Sequence, residues 1–195
     1  MLAIKTEEIL ARLVPREPLE RFLAEVWAAN RKFNLFSRQL SHKDLRMVVA
    51  ESLLPVDLGW VDSDSGPALD IGSGWGIPSV PLVMACPGLD IFLVERSQKK
   101  AGFLLLLMNR LGIKATVFGD ELHALDPEAK YRLITLRRVA FEKKIVDSIR
   151  NHLAPGGAVI SFGPHLPELP AFSTELVSYT IDALPPRQVY RLTNL

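Results

Sequence analysis

The stretch Ala68-Leu-Asp-Ile-Gly-Ser-Gly-Trp-Gly-Ile-Pro78 constrains this chain more than any other. Ala68, Leu69 and Ile71 suit a buried strand with Asp70 at its end, and Gly72, Gly74 and Gly76 follow at a spacing of two. Glycine tolerates positive φ and has no Cβ, so a ligand can come close to the backbone there. Pro78 suits the first turn of a following helix. The free N–H groups of that turn favour a polar or anionic group in the loop. The unit therefore reads as strand, glycine loop and helix. An ordinary strand–helix turn would also use such glycines, for packing alone.

A second apolar strand, Asp90-Ile-Phe-Leu-Val-Glu95, strengthens the ligand reading. It ends in an acid about twenty residues on, where nucleotide-type sites place a carboxylate against ribose hydroxyls. The pattern is Asp-x-Gly-x-Gly-x-Gly rather than the dinucleotide Gly-x-Gly-x-x-Gly. That spacing fits an S-adenosylmethionine (SAM) loop better than an NAD loop.

From Pro67 onward the chain alternates. Strands are expected near 67–71, 90–95, 115–118, 132–136 and 157–162, with helices near 77–86, 97–111 and 140–153. Alternating apolar strands and helices imply a parallel, doubly wound sheet. Segments 175–182 and 187–193 add two strands, an antiparallel hairpin at the edge, for seven in all. Ligands in such sheets bind outside the carboxyl ends of the strands. Asp70, Glu95, the Gly119-Asp-Glu121 turn and Arg137 all fall at such ends.

The first 58 residues read as helical. Leu2, Ile9, Leu10 and Leu13 mark a helix over 2–14, broken by Pro15 and Pro18. Leu19, Phe22, Leu23, Val26 and Trp27 mark a second. A third runs from an N-cap at Ser41 to about Leu54, where Pro55 stops it. A turn-rich linker, Asp62-Ser-Asp-Ser-Gly-Pro67, then joins a helical extension (1–58) to the α/β core (67–195) of one domain.

A net charge of +1 over 195 residues means that any nucleic-acid site must be a local patch. The single cysteine, Cys86, excludes an internal disulfide and a cysteine metal cluster. It also makes a reduced, cytosolic setting the default. The N-terminus has no signal-peptide pattern, and the apolar run Ala101–Met108 is too short to span a bilayer. His42, His123, His152 and His165 have no spacing that suggests a metal site, so no metal is expected. Nothing in the pattern calls for an obligate dimer, and a monomer is expected. Trp75, inside the glycine loop, would either stack on a base or pack.

These residues resemble the GidB-type (RsmG-type) methyltransferases, which place a methyl group from SAM on a guanine N7 of small-subunit ribosomal RNA. The likeness begins at Asn34-Leu-Phe-Ser37 and Glu51-Ser-Leu53 and is densest over Leu69–Leu82. It continues through Val94-Glu-Arg-Ser-Gln-Lys-Lys-Ala-Gly-Phe-Leu104 and returns at Ile134-Thr-Leu-Arg-Arg-Val-Ala140 and Pro155-Gly-Gly157. The resemblance implies a class I SAM-methyltransferase (Rossmann-like) fold. Gly72 and Ile77 would line the methionine and adenosine, with Asp70, Gly74 and Gly76 completing the cofactor loop. Glu95 would hold the ribose, and Asp120 or Glu121 the adenine. Arg137 would be the catalytic residue, near the methionine end and the target base. Lys99 and Lys100 would meet RNA phosphate; Arg138, which the family does not share, could join them in a ring of cations at the sheet's carboxyl edge. The partner would be small-subunit ribosomal RNA or an assembling ribosomal particle.

The chain departs from the family's usual residues at Phe36, Val48, Glu51, Ser79, Arg138 and Phe162, and its Gly119-Asp-Glu turn is shortened. The cofactor half is thus better kept than the RNA half. Two other readings use the same residues: a SAM methyltransferase with another substrate, and a nonenzymatic SAM- or RNA-binding protein.

Overall fold

A computed structural model spans residues 1–195 and describes all of them except 123–124, 164–168, 171, 183 and 195. Eight strands form one sheet: β1 (Leu2–Ile4), β2 (Ala68–Ile71), β3 (Ile91–Val94), β4 (Ala115–Phe118), β5 (Tyr131–Arg137), β6 (Leu153–Phe162), β7 (Phe172–Ile181) and β8 (Arg187–Asn194). Their order is β1-β7-β8-β6-β5-β2-β3-β4. Strands β2 to β6 pair in parallel with one another. β8 runs antiparallel between β6 and β7. The helices are α1 (Thr6–Leu13), α2 (Arg16–Phe33), α3 (His42–Ser52), α4 (Leu54–Asp57), α5 (Ser79–Ala85), α6 (Gln98–Leu111) and α7 (Lys143–His152).

The central strands carry apolar residues on both faces because helices cover both. Every residue of β2 is buried, as are Leu133, Ile134 and Leu136 of β5. A capping box starts α3 where Ser41 suggested it would: Ser41 Oγ accepts from the Asp44 N–H at 3.2 Å, and Asp44 Oδ2 accepts from the Ser41 N–H at 2.7 Å.

Two expectations are corrected. Residues 2–14 are not one helix and the sheet has eight strands, because Leu2–Ile4 pairs in parallel with Tyr179–Ile181 of β7. Asp182 fixes this junction by accepting the Thr6 N–H at 3.1 Å and donating its own N–H to Ile4 O. A three-residue strand has too few residues to show a period, and its partner lies at the far end of the chain. Pro55 is the second correction: it sits in the first turn of α4, where its missing N–H does no harm. The helical region and the sheet share one hydrophobic cluster that includes Leu10, Phe22, Val26, Leu45, Leu93, Leu104 and Ile181.

Candidate active site

Strand β2 lies between β3 and β5, where the chain's crossovers diverge, and such a switch point opens a crevice at the carboxyl ends. Ile71 is in register with Val94 on one side and Leu136 on the other. The next residues, Gly72, Glu95 and Arg137, therefore leave three adjacent strands at one level. They line a cleft of about 770 Å³, together with Asp120, Glu121, Lys100 and Arg138.

Gly72 has φ +76°, and a Cβ there would lie 2.8 Å from Val139 Cγ2, on the cleft wall. Gly76, with φ +96°, does different work. Its missing Cβ makes room for Val80 and for Leu104 and Leu107 of α6, so it packs the loop against helices. Ile77 is buried in the core, and Gly74 turns its N–H toward Glu95. The structure thus brings Gly72, Glu95, Asp120, Glu121 and Arg137 to the cleft. Asp70, Gly74, Gly76 and Ile77 stand behind it. Trp75 packs: it is stacked on Phe22 of α2, ring centroids 6.1 Å apart, and lies against Phe36 at 5.1 Å.

Glu95 is buried and pins the loop. Its Oε2 accepts the Gly74 N–H at 2.9 Å and its Oε1 the Ser97 N–H at 2.8 Å. A carboxylate oxygen can accept a second hydrogen bond, so ligand hydroxyls can still be held there. Asp120 and Glu121 are exposed at the rim, and Asp120 Oδ1 accepts the Glu121 N–H at 2.7 Å.

Asp70 lies beneath the loop, 1% exposed. Thr135 Oγ1 donates to its Oδ1 at 2.8 Å, while Oδ2 is buried with no partner among the described residues. Burial pushes its carboxyl up to about 6, with neighbouring hydroxyls opposing and Glu95 adding to the rise. The folded state then holds its proton more tightly than the unfolded chain. Stability from this group is full at low pH and is lost as pH rises from about 4 to about 6. Asp70→Asn keeps the acceptor for Thr135 and cannot ionise. It should be the more stable protein above pH 6, by about 2–3 kcal/mol, with the gap closing toward pH 4. Thermal melts of both proteins across that range check this; a gap independent of pH would refute it.

The cations separate. Lys100, Lys144 and Arg138 line the cleft, whereas Lys99 stands over the Phe33 ring of α2, 5.4 Å from its centroid. Adjacent helical positions point about 100° apart, so one basic pair serves two surfaces. Arg138 is exposed with φ +57°. The Arg137 guanidinium beside it, with burial, lowers its pKa below the ordinary arginine value.

Arg137 has a partner that sequence reasoning missed. Its Nη2 donates to Glu51 Oε2 at 2.7 Å, with Glu51 buried and Arg137 largely so. Burial alone would raise the Glu51 carboxyl, but Arg137 and Arg187 overcome it and hold the pKa below its ordinary value. A signal was present: Glu51 lies on the face of α3 that also buries Leu45, Val48 and Ser52. An acid on an apolar helix face requires a cation.

Among the described residues no cluster of His, Cys, Asp or Glu side chains is arranged to hold a metal, and no helix is long and apolar enough to cross a membrane. His123 and His165 lie outside the described residues.

The chain matches the family model of GidB, rRNA small subunit methyltransferase G, over residues 16–164. It is 34% identical over 167 residues to the ribosomal RNA small subunit methyltransferase G of Stenotrophomonas maltophilia, covering 83% of this chain and 76% of that one. In fold it is similar to a putative O-methyltransferase from Klebsiella pneumoniae, with TM-score 0.65, 13% identity, and 96% and 94% of the two chains covered. It is also similar to a T. thermophilus 16S rRNA N2 methyltransferase in complex with AdoMet and guanosine, with TM-score 0.58 and 18% identity over 82% of this chain and 45% of that one. By these matches the chain is a class I, SAM-dependent methyltransferase, and it belongs to the rRNA small subunit methyltransferase G (GidB) family.

Proposed function

We propose that this protein methylates N7 of a guanine in small-subunit ribosomal RNA, acting in the cytoplasm as a monomer on the RNA or an assembling particle. The observation that carries this, given the family, is the placement of Gly72, Glu95 and Arg137 at one level across β2. The cleft fits SAM. Gly72 offers a backbone without Cβ, and Glu95 offers acceptors for ribose hydroxyls. Asp120 and Glu121 flank the place for an adenine amine.

When bound, SAM supplies a sulfonium methyl group open to in-line displacement. Guanine N7 already carries an in-plane lone pair, so no side chain need remove a proton first. Orientation within the cleft then supplies most of the rate. Glu95 and the glycine loop fix one reactant, and Arg137 borders the other. Lys100 and Arg138 offer cations to RNA phosphate at the cleft, where Lys144 is paired with Glu142. Lys99, at the separate α2 surface, offers RNA a second point of contact.

The test is SAM binding by calorimetry followed by labelled-methyl transfer to unmodified small-subunit RNA, with the modified nucleotide mapped. Transfer to a guanine N7 is the expected result. Binding with transfer only to a small molecule or protein would replace the substrate, and binding with no transfer to any acceptor would point to a nonenzymatic role. Glu95→Ala should weaken SAM binding by about 1–3 kcal/mol, because the Gly74 and Ser97 N–H groups and the ribose hydroxyls lose their acceptor. Unchanged affinity would remove Glu95 from the site.

A further inference from the structure

Arg137 reaches the cleft with one guanidinium nitrogen already engaged. Nη2 donates to Glu51, the two side chains being 10% and 4% exposed. Glu51 is held in turn by the Tyr179 hydroxyl, which donates to Oε1 at 2.7 Å, and by Arg187 Nη1, which donates to the same oxygen at 2.6 Å. The four residues come from α3, β5, β7 and β8. Arg137 Nε, in contrast, is buried and has no partner among the described residues. A guanidinium is planar with its donors in a fixed fork, so anchoring Nη2 also sets the direction of Nε–H. A buried donor left unpaired is costly, which points to an acceptor that arrives from outside the chain.

The sheet indicates which acceptor. Glu95 lies at the β3 side of Gly72 and Arg137 at the β5 side. With the ribose at Glu95, the methyl-bearing end of the cofactor faces β5. We propose that Glu51, Tyr179 and Arg187 are positioning residues that lock Arg137 so that its Nε–H meets an acceptor on the guanine receiving the methyl group. This rests on the reading of the cleft as the methyl-transfer site. It makes α3, outside the SAM-binding core, a working part of the active site.

The experiment is a double-variant cycle in single-turnover methyl transfer at saturating SAM, using unmodified small-subunit RNA. Wild-type protein that binds no SAM, or transfers to no RNA, overturns the function and this proposal with it. With an active wild type, Glu51→Gln should slow transfer about 30- to 100-fold and Tyr179→Phe about three- to tenfold, with SAM affinity kept within about twofold. Glu51→Gln combined with Arg137→Lys should be no slower than Arg137→Lys alone, within about twofold, because both act through one contact. Losses that multiply would show that Glu51 acts only on the fold and would overturn the proposal. Wild-type rates in folded variants, or a loss confined to SAM affinity, would do the same. If Glu51→Gln does not fold, Tyr179→Phe closes the cycle against Arg137→Lys with the same two outcomes. Tyr179→Phe loses one hydroxyl and keeps the buried ring.

Discussion

Glu51→Ala is expected to lower stability by about 3–5 kcal/mol, the cost of stranding buried charge. One carboxylate serves three donors: Arg137 at 2.7 Å, Tyr179 at 2.7 Å and Arg187 at 2.6 Å. Alanine would leave the Arg137 guanidinium and the Tyr179 hydroxyl without their acceptor inside the protein. Arg187 is 35% exposed and would be rescued partly by water, so its share is smaller. Because the Glu51 carboxyl is held below its ordinary value, its contribution is present above the unfolded-state pKa. That contribution is lost as pH falls through the folded value. The variant should therefore differ most from wild type at neutral pH and least in acid. Urea unfolding measures this as a drop in midpoint with little change in slope. A loss under about 1 kcal/mol would mean that the network is no stronger than a surface pair.

Gly72→Ala should separate binding from folding. Its Cβ would lie 2.8 Å from Val139 Cγ2, and that stiff β-branched side chain would have to shift. The residue would still be held at φ +76°, at a cost of about 1–2 kcal/mol. The fold should survive with a lower melting temperature. SAM affinity should fall at least about tenfold, since the methyl group projects at the cleft wall where the ligand approaches the backbone. Gly74→Ala is the control. It carries similar strain at φ +59°, but its Cβ would meet nothing nearer than Gly72 O at 3.8 Å. Calorimetry and thermal melts on both variants decide the matter. Equal SAM affinity for Gly72→Ala and wild type would take the loop backbone out of the binding site.

The sequence alone determined the features that repeat over short distances. Apolar runs placed the seven larger strands. Ser41 marked the start of α3. The glycine spacing and the strand-end acid put Gly72 and Glu95 at one edge, because parallel pairing carries both to the same level. These signals are legible because strand period, helix period and loop chemistry are set by neighbours in the chain.

Tertiary structure alone decided the rest. Leu2–Ile4 becomes a strand only through β7. Trp75 faces α2 rather than a ligand because the helical region packs over the loop. Arg137 is anchored by an acid 86 residues away, which itself binds donors 128 and 136 residues further along. A buried charge must find a partner, but nothing local says which. Only the folded sheet, by bringing α3 over the ends of β5, β7 and β8, makes that choice.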